Sequence, residues 1–330
     1  WVRDINGLVS NPSTSGVLGM ASAFNVLPAA PTASTVNGGI VDNEIWRTVH
    51  TGVDSYHGVV SPLIMIAGAS SVSSGVFYHG FVTINFSNTT YVNADGSLGV
   101  HWNLGTTGSC PANQFDLYTV VLHEVTHALG FTSLMDNLGA SRIENNYYNR
   151  YDTFLETATG TPLLSSTGSC NPMYNNAFTG GGANLHPGCT MPNGLQTGNY
   201  VDATTCSDAI HYHQTSPQNI PVYTPSCFEM GSSLSHFEDA CYSNTNFLPA
   251  ENGNNNYFVM SNANGAAVAK RFLKPEEKQT LCDIGYNTTA AHNGYNYTSS
   301  GTGIQVAGVN DGIISSGPNA GQPAYTGLGV

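Results

Sequence analysis

The segment DLYTVVLHEVTHALG, residues 116–130, restricts this chain more than any other, because it reads as a helix with both ends marked. Asp116 can cap the first turn by accepting a backbone N–H. Val120, Val121, Val125, Ala128 and Leu129 fall where one apolar face needs them. Gly130 stands just past the last turn, where a left-handed residue closes a helix. On such a helix His123 and His127 lie one turn apart, so both imidazoles leave the same face about 6 Å from each other. Glu124 sits beside that face.

Two histidines four residues apart can be ordinary polar-face residues. The complete pattern is rarer. With 11 histidines and 9 glutamates in 330 residues, about 0.01 accidental matches to His-Glu-X-X-His are expected. A metal ion can bridge His123 and His127, and Glu124 can reach a water on that metal without ligating it. This is the arrangement of zinc hydrolases, where the ion acidifies the water and the Glu takes its proton. A catalytic zinc normally has three protein ligands. In the metzincin pattern the third histidine follows the glycine by three residues; here Gly130 is in place, but that position is Ser133. The third ligand must come from elsewhere. Downstream stand His186, His211, His213, His236 and His292, with Glu144 and Glu156 as carboxylate alternatives in RIENNYYNRYDTFLE (142–156), a stretch of some helical character.

HEVTHALGF (123–131), then a cysteine-bearing insertion, then SHFE (235–238), then Met260 in YFVMSNA (257–263), together resemble the leishmanolysin-like branch of the metzincins. DIGY (283–286) is similar to the close of such a catalytic domain. The resemblance covers roughly residues 80–135 and 230–286, is weak over 1–79, and does not extend past 290. It implies His123, His127 and His236 as Zn²⁺ ligands, Glu124 as general base, and Met260 on the turn beneath the metal. It implies an α+β metzincin-type catalytic domain over residues 1–295. An upper half, about 1–132, would carry a twisted mixed sheet and the active-site helix; a lower half, about 133–295, would be irregular and tied by disulfides. The activity implied is hydrolysis of protein or peptide substrates by a water that zinc activates.

Composition fits a secreted protein. Seven cysteines, at 110, 170, 189, 206, 227, 241 and 282, include no CxxC pair, which argues against a zinc ribbon and for disulfides in an oxidising compartment. Four of them fall in the long aperiodic stretch from Gly130 to about 230, which would be unstable without covalent ties. An odd count leaves at least one thiol. Net charge is −13 with only eight Lys plus Arg, so there is no basic footprint for nucleic acid. No run of 18 apolar residues offers a membrane span, and nothing calls for a partner subunit, so the chain reads as a monomer. It begins at Trp1 without a leader, as a processed or trimmed product would.

Other features are weaker. VDNEIWRTVHTGVDSY (41–56) has helical spacing; SPLIMIAGA (61–69), GFVTINFS (80–87) and GVHWNL (99–104) read as strands; 269–286 is helical around Phe272, Leu281 and Ile284. GIQVAGVNDGII (303–314), in the extension 296–330, reads as the opening of a further β module. His211 and His213 alternate on one face of a strand and would suit a second metal site, although exposed histidines are the commoner case. Asn-rich loops such as ENGNNN (251–256) offer oxygens to Ca²⁺, with solvated turns the default. Four glycosylation sequons start at Asn85, Asn88, Asn287 and Asn296. Low charge and aromatic content also suit a non-catalytic adhesion or carbohydrate-binding protein, a reading that leaves Glu124 between the histidines unexplained.

Overall fold

The structure, a computed structural model, describes residues 17–23, 80–86, 95–135, 147–165, 210–214, 219–225, 231–242 and 257–286, with single residues and short backbone pieces between them. The strand expected at 61–69, the loop 251–256, the sequons at Asn287 and Asn296 and the extension 296–330 lie outside the described residues.

Strands β1 (Val2–Asp4), β2 (Gly19–Ala23) and β4 (Gly80–Ile84) form a mixed sheet in the order β1-β4-β2, with β1 parallel and β2 antiparallel to β4. Helix α1 (Leu117–Ala128) lies across β2 and β4. Val82 and Ile84 of β4 meet Val120 of the helix, with Leu18, Ala21, Val121 and Val125 packed around them. The strand expected at 80–87 is present as β4, but burial along it does not alternate. Thr83 and Asn85 are buried as well, because Thr83 Oγ1 donates to Met20 O at 3.2 Å and Asn85 Nδ2 donates to Val17 O at 2.9 Å. Phe86 instead points outward. Asn85 and Asn88 are both buried, so neither sequon offers its side chain to a glycan in the folded chain.

Further short pairs surround this layer. β3 (Gly39–Val41) runs parallel to β7 (Tyr147–Asn149), and β5 (Trp102–Asn103) parallel to β6 (Phe115–Asp116). Strands β8 (Leu155–Glu156), β11 (His211–His213) and β12 (Asn219–Pro221) form an antiparallel sheet in the order β12-β11-β8, and β9 (Leu164–Ser165) pairs with β10 (Met173–Tyr174). Over this second group sits the larger core, in which Phe131, Tyr151, Tyr212, Phe237 and Phe258 pack ring against ring. Helix α2 (Pro275–Asp283) closes it with Leu281; Pro275 occupies the first turn, where its missing N–H costs nothing. Among the described residues, no helix is long and apolar enough to cross a membrane.

Two local expectations are corrected. The helical character of 142–156 gives way to β7, a 3₁₀ turn at Tyr151–Phe154 and β8. The cause is a side-chain bargain: Asp152 N donates to Asn149 Oδ1 at 2.9 Å while Asn149 N donates to Asp152 Oδ2 at 3.1 Å. Short polar side chains that bond nearby backbone compete with a helix in this way. Phe272 precedes α2 instead of joining its buried face, and is 69% exposed.

Cys241 is disulfide-bonded, whereas Cys110 and Cys282 are thiols. Cys170, Cys189, Cys206 and Cys227 lie outside the described residues. Five cysteines can make at most two bonds. Thiol titration of the denatured, unreduced chain should count three groups. Five would mean that Cys241 holds the lone disulfide and the insertion is not further tied; one would contradict the thiols at Cys110 and Cys282.

Candidate metal centre

Helix α1 presents His123 and His127 because both its ends are fixed. At the start, Asp116 Oδ2 accepts from Thr119 N at 2.8 Å and from Thr119 Oγ1 at 2.7 Å. The Arg271 guanidinium grips both oxygens of the same carboxylate. Burial opposes the ionised Asp116, but Arg271 and Thr119 outweigh it and hold the carboxyl below its usual range. At the other end Gly130 has φ +109°, a conformation that costs other residues strain, and a β-carbon there would stand 2.9 Å from Asn43 Nδ2.

The chain then turns through Ser133, the position where the metzincin pattern would carry histidine. Ser133 serves as an anchor instead. Its hydroxyl donates to Asp152 Oδ1 at 2.6 Å, and its N–H donates to Ser235 Oγ at 3.0 Å, beside His236. His236 itself leaves a tight loop in which Leu234 has φ +64°, a strained conformation for a branched side chain. Val222 and Ser261 flank the next residue, Phe237, through single β-bridges.

These elements bring the three histidines together. The Nε2 atoms of His123 and His127 are 3.0 Å apart, those of His127 and His236 3.0 Å, and those of His236 and His123 3.2 Å. Each Nδ1 donates to a backbone carbonyl at 2.7 Å: His123 to Val259, His127 to Phe131, and His236 to Ser232. With each proton on Nδ1, three Nε2 lone pairs converge in a buried space and repel unless a cation lies among them. Ligands about 2.0–2.1 Å from one tetrahedral zinc would be separated by roughly 3.3 Å, close to these spacings. The residues fit the ion. Burial depresses all three imidazoles, His123 well below the usual range, His127 to about 3 and His236 to about 4, so all are neutral near pH 7, as ligation requires. Among the described residues this is the group of histidine, cysteine or carboxylate side chains whose ligand atoms gather within 4.8 Å.

Glu124 is 5% exposed, and burial pushes its carboxyl up to about 8; a cation at the histidines would pull it back down. The backbone of β2 passes so close that a β-carbon at Gly19 would stand 2.7 Å from Glu124 Oε1. Met260 is fully buried in the turn 257–261, one residue after the carbonyl that holds His123. A cleft beside His127 is lined by Ala23, Trp46, Leu129, Arg150 and Ile284. Trp46 is pinned there by a 2.8 Å bond from Nε1 to Ile284 O, and the Arg150 guanidinium stacks 4.6 Å over its ring.

The remaining candidates stand apart. Glu156 accepts from Asn219 Nδ2 at 2.7 Å and pairs with His213 Nδ1 at 3.2 Å, away from the three histidines. His211 and His213 lie on β11 and join no such cluster among the described residues. Glu144, His186 and His292 lie outside the described residues. Sequence reasoning missed Gly19, Asp152, Ser235, Asp239 and Glu277. Of these, only Ser235 and Asp239 carried a local signal, their closeness to His236. Compared with protein-family models, curated proteins and solved structures, the chain matches none.

Proposed function

We propose that this chain is a secreted zinc-dependent endopeptidase of metzincin type. One observation carries the reading: three buried, neutral imidazoles converge through Nε2 with the Glu124 carboxyl one residue from the first of them. His123, His127 and His236 would hold Zn²⁺, which when bound polarises a carbonyl and acidifies a water. Glu124 takes the proton of the attacking water and passes it to the leaving amine. Strand β2 is one of the two edge strands of its sheet among the described residues and runs past Glu124, so an extended substrate can pair along it and set its scissile bond at the site. Cys241 in a disulfide supports an oxidising compartment.

The test is metal content followed by hydrolysis of casein or gelatin. We expect about one zinc per chain and an activity that a chelator removes and added zinc restores. A purified chain with bound zinc and no hydrolysis, but with affinity for glycans, would favour the adhesion reading.

The closeness of β2 to Glu124 gives a second test. Gly19→Ala adds one carbon where the carboxylate now lies, with no left-handed backbone to strain. Since a 1 Å misplacement can cost about 10²-fold, kcat should fall at least about 10-fold with zinc retained. Unchanged kcat would mean that the carboxylate has room to spare.

A further inference from the structure

His127 and His236 take their carbonyl acceptors from residues four positions away, within their own local turns. The acceptor for His123 is different: Val259 is 136 positions distant. Nothing in α1 can fix that carbonyl, so something else must.

The turn 257–261 is held by buried charged side chains. Asp239, 2% exposed, accepts from Tyr257 N at 3.0 Å, from Phe258 N at 3.4 Å and from Ser261 Oγ at 2.9 Å. Glu277, fully buried on α2, accepts from Met260 N at 2.6 Å through Oε1 and from Lys274 N at 2.6 Å through Oε2. Lys270 reaches in from the far side, donating from Nζ to Phe258 O, and to Asn264 Oδ1 at 3.1 Å. Burial pushes both carboxyls upward, and the Lys270 ammonium works against that push. Met260 O accepts from Phe237 N at 2.8 Å, which ties the same turn to the residue after His236. The residues on either side of Val259 are therefore fixed, and its own carbonyl faces His123.

We propose that Asp239 and Glu277 are positioning residues for the metal centre. Between them they clamp the turn 257–261, and so set the place and direction of the Val259 carbonyl that keeps His123 protonated on Nδ1 and open on Nε2. Outer partners of this kind govern ligand orientation, and losing one typically weakens metal binding about 10- to 100-fold. The inference rests on the three histidines being a zinc site.

The experiment measures zinc affinity by chelator competition and the visible spectrum of the Co²⁺-substituted chain, alongside the melting temperature. Asp239→Asn places an amide N–H₂ against the N–H of Tyr257 or Phe258, and Glu277→Gln places one against the N–H of Met260 or Lys274, so the turn or the start of α2 that holds the clamp must shift. Both should weaken zinc at least about 10-fold and change the cobalt spectrum. Leu163→Ala opens a cavity in the larger core and should lower the melting temperature while leaving affinity and spectrum unchanged. Should Asp239→Asn fail to fold, Glu277→Gln and Ser261→Ala, which removes one donor to Asp239, are read in the same way. Zinc affinity within twofold of wild type and an unaltered cobalt spectrum in these variants would overturn the proposal. A wild-type chain that holds no zinc would overturn the metal centre itself, a result visible before any variant is made.

Discussion

Glu124→Gln, purified with its zinc, should hydrolyse peptides at least about 100-fold more slowly than wild type while keeping its metal and its fold. The three imidazoles meet through Nε2 without help from this carboxyl, so removing its charge leaves the ligands in place. The amide keeps the shape but cannot accept a proton, and loss of a general base typically costs about 10²- to 10⁴-fold. Stability gives an independent sign. Burial raises the carboxyl to about 8 in the metal-free fold, while an unfolded Glu is ionised at pH 7. Folding at that pH must therefore protonate it, a cost that grows as pH rises above the unfolded value and levels off past the folded one. The amide has no such cost. Metal-free Glu124→Gln should melt no lower than metal-free wild type at pH 7, and the difference should shrink toward pH 4. Near-wild-type turnover in the zinc-loaded variant would remove Glu124 from the mechanism.

His236→Ala should lose zinc on dialysis and activity with it. Two histidines hold zinc poorly, so the loss should exceed the roughly 100-fold that an outer partner can cost. The variant should also be nicked faster between residues 131 and 260. His236 meets His127 across 109 positions of sequence, and metal binding is linked to the folding of whatever it joins. His211→Ala and His213→Ala should do neither, since both lie on β11 outside the cluster. A His236→Ala chain with stoichiometric zinc and full activity would move the third ligand to another residue, with Glu144 the next to test.

What was legible in the sequence follows from how far each signal reaches. Helix α1 could be read because Asp116, the apolar spacing and Gly130 lie within one short segment, and His123 and His127 share a face by helical geometry alone. His236 could not be reached that way: spacing left several histidines open, and only the resemblance singled it out. Ser133 broke the expected pattern, but its bonds to Asp152 and Ser235 depend on residues 19 and 102 positions away. The helix read into 142–156 failed because the reciprocal bonds of Asn149 and Asp152 outweigh a weak periodicity. Glu277 left no trace, and Asp239 only its closeness to His236, since each matters through a turn that lies 17 to 22 positions from it.

The grip of Arg271 on Asp116 spans 155 positions, and Thr119 Oγ1 accepts from Lys270 N across 151. The helix that bears Glu124 thus borrows its first turn from a stretch that leaves the ribosome long after it. During synthesis, α1 emerges with its carboxylate cap unneutralised and with no acceptor for His123, and those partners follow 155 and 136 positions later. Contacts of such long separation form late and slowly. A nascent or prematurely released chain that stops short of Arg271 would therefore carry His123, Glu124 and His127 in an unassembled state, and the proposed hydrolytic site would be complete only once residues 236–271 had been delivered.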